Sequence, residues 1–288
     1  MPEAVTVNNK LVKELIVPRL LMSKKGDNGI VLIVGGSKFY HGAPILSSVA
    51  ALRSGTDIVY TAVPRSNTVA VRSFSPNIIA LPMSDDKLTI GSTNRLLAMI
   101  PKKPHTAAIG MGMSISRPEA LHSLINKLKN DGTRLLLDAS SLIPSVLREI
   151  SGTDTIITPH AGEYKRIFGE NVGTDEKERR SNVYKYAKEY DITILLKGHT
   201  DIISDGDRLA INKIHNCAMT VGGTGDILSG LTAGILTKTK SYEASILGVY
   251  FNGVAGNLAY NQVGLHMLAT DLLKYLPNAM KPFDLVQK

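Results

Sequence analysis

The chain is expected to fold as an α/β protein, with a central, mostly parallel sheet flanked by helices on both faces. Three observations carry that expectation. Short β-branched runs alternate with helix-patterned segments along most of the sequence, the sign of βαβ units joined by right-handed crossovers. The runs are apolar throughout, as in Ile30–Val34 (IVLIV), which suits strands covered on both faces. Glycine or proline closes several of them, as at Gly35-Gly36, Pro64 and Pro82.

Taken in order, 30–34 reads as a buried strand and 43–53 as a helix stopped by Gly55. Strands follow at 58–63 (ended by Pro64), 78–81 (ended by Pro82), 106–109, 134–137, 155–157 and 192–196. Helices fall at 118–129, where Pro118 and Glu119 suit the first turn, and at 176–190. Residues 202–203 and 209–211 form a hairpin turning at Asp205-Gly206. From 224 to 275 the pattern is almost wholly helical. No repeat, low-complexity segment or flexible linker interrupts it. Residues 1–23 are expected to be a helical extension and 24–288 one domain.

Composition narrows the class. With 43% hydrophobic and 20% charged residues over 288 positions, the chain is an ordinary globular one with ample core. One cysteine, Cys217, allows no internal disulfide, and no signal-peptide block or membrane-length apolar run occurs, so a cytoplasmic location is expected. The net charge of +8 could serve nucleic acid, an anionic membrane or a phosphorylated ligand. The basic pairs Lys24-Lys25, Lys102-Lys103 and Arg179-Arg180 are scattered, Trp is absent and aromatics are 5%. A base-stacking platform is therefore disfavoured, and neither nucleic acid nor membrane is expected as a partner.

In such sheets ligands sit beyond the carboxyl ends of the strands. The strongest motif is Gly222-Gly223-Thr224-Gly225-Asp226, opening an apolar helical run. A glycine-rich loop at a helix start offers free N–H groups and a positive dipole end to an anion. Asp226 would either work on a bound phosphate or merely complement the dipole. A second motif, Thr158-Pro159-His160-Ala161-Gly162-Glu163, follows a strand with three hydrogen-bonding side chains. His160 and Glu163 could equally be a loop residue and a first-turn acid. In Lys197-Gly198-His199-Thr200-Asp201, Lys197 and Gly198 either hold a phosphate or form a plain turn. Asp138-Ala139-Ser140 ends another strand with an acid able to reach Mg²⁺ through water or to cap a helix. Gly35-Gly36-Ser37 is neither a Walker A loop nor a Rossmann fingerprint. The seven histidines lack zinc spacing, and no Gly-x-Ser-x-Gly elbow occurs.

Together with Lys25-Gly26, His41-Gly42-Ala43, 51–55 (ALRSG) and Gly110-Met111-Gly112, these motifs resemble the ADP/ATP-dependent NAD(P)H-hydrate dehydratases of the ribokinase-like superfamily. The resemblance runs from about residue 24 to 277. It implies repair of hydrated NADH or NADPH at the expense of ADP or ATP, with ADP favoured and Mg²⁺ carried with the phosphates, the protein's own metal ligands being unknown. It implies Asp226 as the catalytic residue, with Ala43, Gly112, His160 and Asp226 lining the hydrate site. Lys197, Gly198, His199, Thr200, Asp201 and Gly225 would line the nucleotide site, with Gly223, Thr224 and Gly225 as an anion hole and Glu163 and Asp138 in support. A homo-oligomer is expected, and no epimerase domain. Three positions depart from the family pattern: Met111 where Pro is common, Ser140 where Asp is common, and Asn252 where His is usual. The alternatives are a kinase of the same superfamily acting on a vitamin precursor or sugar hydroxyl, or a non-catalytic nucleotide- or nucleic-acid-binding protein.

Overall fold

The computed structural model describes residues 1–288. The N-terminal segment contributes strand β1 (Val5–Thr6), helix α1 (Asn9–Leu15) and β2 (Arg19–Leu20). Then come β3 (Ile30–Val34), α2 (Gly42–Arg53), β4 (Ile58–Pro64), α3 (Thr68–Phe74), β5 (Ile79–Met83) and α4 (Ile90–Met99). The middle holds β6 (Thr106–Ile109), α5 (Pro118–Asn130), β7 (Arg134–Leu137), α6 (Leu147–Ile150), β8 (Thr155–Ile157), α7 (Ala161–Phe168) and α8 (Glu176–Tyr190). The chain closes with β9 (Thr193–Leu196), β10 (Asp201–Ser204), β11 (Leu209–Asn212), α9 (Thr224–Leu236), α10 (Ser241–Val263), α11 (Ala269–Met280) and β12 (Val286–Gln287).

Ten strands form one sheet in the order β1-β11-β10-β9-β8-β7-β6-β3-β4-β5. Every pair from β9 to β5 is parallel; β10 is antiparallel to β9 and β11. The expected hairpin is present, its turn at Asp205-Gly206. From β3 the chain runs outward through β4 and β5, then returns to β6 on the other side. The order therefore reverses between β3 and β6, and that switch point opens a crevice at the strands' carboxyl ends.

Alternation along β3 shows how both faces are filled. Ile30, Leu32 and Val34 enter the core beneath α4, α5, α7 and α8. Val31 and Ile33 enter the core beneath α1, α9, α10 and α11. A strand buried on both faces has no polar side to show, hence the unbroken apolar run.

Several details differ from the sequence reading. Pro64 is the last residue of β4, as expected, but Pro82 lies inside β5 rather than after it; β5 is the sheet's edge, where a missing N–H costs no ladder bond. The helical stretch after 224 is three helices. Helices α3, α4 and α6 were not anticipated; α4 starts on a Thr89–Ser92 capping box with no acid to mark it. The N-terminal segment is strand as well as helix, since β1 pairs with β11 and Val7 and Val12 are buried. No helix is long and apolar enough to cross a membrane.

Candidate active site

The crevice is built from five strand ends. After β3, the Gly36 N–H donates to the Met111 carbonyl at 2.9 Å, tying the first loop to the loop after β6. Gly110 has φ +124°, and a Cβ there would lie 1.9 Å from the Asp138 carbonyl oxygen. No side chain fits, so only glycine lets the β6 and β7 loops close this tightly. Gly112 packs against Tyr40 and Ala43, so two of the expected hydrate-site residues are neighbours.

Asp226 is brought to the same place by α9. Helices α2 and α9 touch so closely that Ser47 Oγ donates to the Asp226 carbonyl at 2.9 Å and to the Ala43 carbonyl at 3.0 Å. Gly223 caps α9 with φ +104°, a left-handed conformation glycine adopts without strain. The N–H groups of Thr224, Gly225 and Asp226 make no backbone hydrogen bond, as the first donors of a helix cannot. A Cβ on Gly222 would meet nothing, and one on Gly225 only Lys197 Nζ at 3.7 Å, so the loop faces open space. The Thr224 hydroxyl instead turns back to the Met219 and Val221 carbonyls; at this position only the N–H points outward.

Around Asp226 stands a charged network. Lys197 Nζ lies 2.7 Å from Asp138 Oδ1 and 3.6 Å from Glu163 Oε2. Ser229 Oγ donates to Asp138 Oδ2 at 2.6 Å. Burial opposes the Asp138 charge, but Lys197, with the hydrogen bonds from Lys197, Ser229 and Thr158, outweighs it and holds the carboxyl below its usual range. Burial likewise opposes the Lys197 charge; Asp138, then Glu163 and Asp226, hold its pKa up. Asp226 has no such partner. Burial, followed by the Asp138 charge, pushes its pKa up to about 7, against the pull of Lys197. Two carboxyls in one site with pKa values driven apart mark an acid–base assignment.

His160 caps α7. Its Nδ1 accepts from the Gly162 and Glu163 N–H groups, and Glu163 Oε2 accepts from the His160 N–H. Nε2 lies 3.4 Å from Glu163 Oε1 and the ring is largely exposed. In the 197–201 loop, the Gly198 N–H donates to Asp201 Oδ1 at 3.1 Å and Asn212 Nδ2 to Oδ2 at 3.0 Å. Asp201 thus shapes the turn, while Gly198 and His199 are exposed and Thr200 is buried. Three residues in the site are not among those the sequence singles out: Ser229; Arg179, whose guanidinium packs on Gly198; and His215, edge-on to His199 at 4.5 Å. Ser229 was findable, since it lies one helical turn past Asp226 on the same face. A separate cavity of about 300 Å³, bordered by Arg19, Lys238 and Phe251, touches Ser54 and Gly55 of the 51–55 motif but none of the candidate site residues.

A parallel sheet with a switch-point crevice, a glycine-rich helix start and a carboxyl beside a lysine define a ribokinase-like protein. A solved ribokinase-like superfamily protein from Enterococcus faecalis superposes with a TM-score of 0.81 over 98% of this chain and 96% of its own, at 22% identity. The family described as NAD(P)H-hydrate dehydratase matches residues 31–278. The ADP-dependent (S)-NAD(P)H-hydrate dehydratase of Nitrosopumilus maritimus is 51% identical over 97% of this chain and 98% of its own. The ADP/ATP-dependent NAD(P)H-hydrate dehydratase of Bacillus subtilis, co-crystallised with ATP and Mg²⁺, superposes with a TM-score of 0.85 at 25% identity, over 98% of this chain and 99% of its own. The chain belongs to the NAD(P)H-hydrate dehydratase family.

Proposed function

We propose that the protein is an ADP-dependent NAD(P)H-hydrate dehydratase, and that Asp226 is its catalytic residue. The observation that carries this is a carboxyl with its pKa raised to about 7, seated beside the free N–H groups of α9 and facing Lys197. A group that titrates near neutrality can take a proton and release it again.

In this reading the hydrate lies along Ala43, Gly112 and His160, with its hydroxyl toward Asp226. ADP lies along 197–201, its terminal phosphate between Lys197 and the Gly223–Asp226 N–H groups. Asp226 takes the hydroxyl proton as that oxygen attacks the terminal phosphorus, and the bond to the AMP oxygen breaks. The N–H groups and Lys197 stabilise charge on the transferring phosphoryl group. The ring's C–O bond then breaks, assisted by the nitrogen lone pair; phosphate leaves with the hydroxyl oxygen and the adjacent ring carbon loses a proton. The products are AMP, phosphate and the reduced dinucleotide.

Mg²⁺ would enter with the phosphates and neutralise their charge. The chain gathers no cluster of three His, Cys, Asp or Glu able to hold an ion, and both Asp138 oxygens already accept bonds from the protein. Phosphate oxygens and water would supply its ligands, as is usual for this ion. The reading includes a cytoplasmic homo-oligomer; exposed Leu20, Leu21, Met22, Leu285 and Val286 beside the β2–β12 pair support a subunit contact there.

The test is to incubate purified protein with NADH or NADPH hydrate, Mg²⁺ and either ADP or ATP. Recovery of reduced-nicotinamide absorbance with stoichiometric AMP and phosphate supports the reading. No recovery with either nucleotide, or a dinucleotide that stays phosphorylated, removes it.

A further inference from the structure

Beside the crevice lies a second cavity, and we propose that it receives a phosphate group of the hydrated dinucleotide on two arginines, Arg117 and Arg166. This rests on the dehydratase reading. The cavity measures about 380 Å³, and Met113, Arg117, Ser140, Ile143 and Arg166 are among its walls. Its walls adjoin the reaction-site residues along the chain, Met113 following Gly112 and Ser140 lying two residues past Asp138. Its place is the carboxyl ends of β6 and β7, where ligands of such sheets sit.

Arg166 stands three residues past Glu163 on α7, so the helix that delivers one also delivers the other. Its Nε donates to the Leu142 carbonyl at 2.8 Å and its Nη2 to the Ala139 carbonyl. Those bonds fix the guanidinium against the Asp138 loop and leave the Nη1 donors uncommitted, a guanidinium having five N–H groups. Neither Arg117 nor Arg166 pairs with a carboxylate, whereas Arg19, Arg95, Arg134, Arg180 and Arg208 do. No acid lines the cavity, and Ser116 and Ser140 add only hydroxyls.

Two unneutralised guanidinium groups in a concave wall suit a phosphate, whose oxygens the planar fork matches in pairs. A hydrated dinucleotide reaching past Gly112 brings two kinds of phosphate. The pyrophosphate is common to both hydrates; the 2′-phosphate belongs to NADPH hydrate alone.

The experiment measures kcat and KM for NADH hydrate and NADPH hydrate, with ADP as co-substrate, in wild type, Arg117→Gln, Arg117→Glu and Arg117→Lys. The Arg117 side chain is exposed and makes no hydrogen bond, so its loss leaves the fold intact. Arg117→Gln should raise the KM for NADPH hydrate about ten-fold, the worth of one charge-assisted contact, with kcat and the KM for ADP unchanged. Arg117→Glu should shift the same KM further in the same direction by repulsion, and Arg117→Lys should recover part of the loss. A rise confined to NADPH hydrate assigns the 2′-phosphate; a rise with both assigns the pyrophosphate. Unchanged hydrate KM values, or a change in the ADP KM alone, overturn the proposal and leave the dehydratase reading standing. Absence of wild-type turnover removes that reading and this one with it.

Discussion

Lys197 Nζ and Asp138 Oδ1 stand 2.7 Å apart at the ends of β9 and β7, reaching past β8 to meet. Asp138 is 2% exposed, so its charge depends on that ammonium and on Ser229. Lys197→Met is expected to destabilise the protein by about 3 kcal/mol, because it leaves a buried carboxylate without a counter-ion. Asp138→Asn combined with Lys197→Met should recover part of that loss. Denaturant unfolding of the two single variants and the double checks it; strictly additive losses would show that the pair is not coupled.

The raised pKa of Asp226 sets a pH dependence. Folded, the carboxyl keeps its proton up to about pH 7; unfolded, it releases it near its ordinary 3.8. The unfolded chain therefore binds fewer protons across that window, and raising the pH through it favours unfolding. Asp226→Asn, which never ionises, should raise the melting temperature by a few degrees at pH 8 and leave it unchanged at pH 4. The same variant should lose roughly 10²–10⁴-fold in kcat with the KM for ADP nearly unaltered. In the wild type, activity should climb with pH through about 7. Asp138→Asn, by removing one of the charges that raise this pKa, should move that limb to lower pH. A limb that stays in place would mean the Asp138 charge does not contribute to it.

Two glycines should separate architecture from chemistry. Gly110→Ala puts a methyl on the Asp138 carbonyl at a positive φ, so thermal unfolding should show a loss of about 2–3 kcal/mol or more. Gly222→Ala meets nothing within 4 Å and should melt as the wild type does. A drop in its turnover would then come from the methyl intruding on the ligand, not from the fold.

The sheet was legible because each central strand is buried on both faces, and that writes an unbroken apolar run such as IVLIV into the chain. The glycine-rich loop was legible for a related reason: Gly223 and Gly225 mark backbone that must turn or face a ligand. What escaped was long-range pairing. Asp138 reads alike whether it caps a helix, reaches an ion or meets Lys197, 59 residues on. Ser229 looks like any small polar residue in a helix until α9 is laid against β7. Pro82 misled because a proline ends a central strand but not an outer one.

Arg179 is the clearest instance of a residue that only the fold could bring in. It sits on α8, in a segment that reads simply as an amphipathic helix, yet a Cβ on Gly198 would lie 2.7 Å from its Nη2. Its Nε is buried without a hydrogen-bond partner, and it forms no ion pair. A cation held against the 197–201 loop in that state is matched by an anion arriving there, because a buried N–H left unbonded costs about 1–3 kcal/mol. Arg179→Gln should therefore raise the KM for ADP by about ten-fold and leave the hydrate KM alone, with Arg179→Lys intermediate. Steady-state kinetics with each substrate varied in turn checks it. An unchanged ADP KM would confine Arg179 to packing against Gly198.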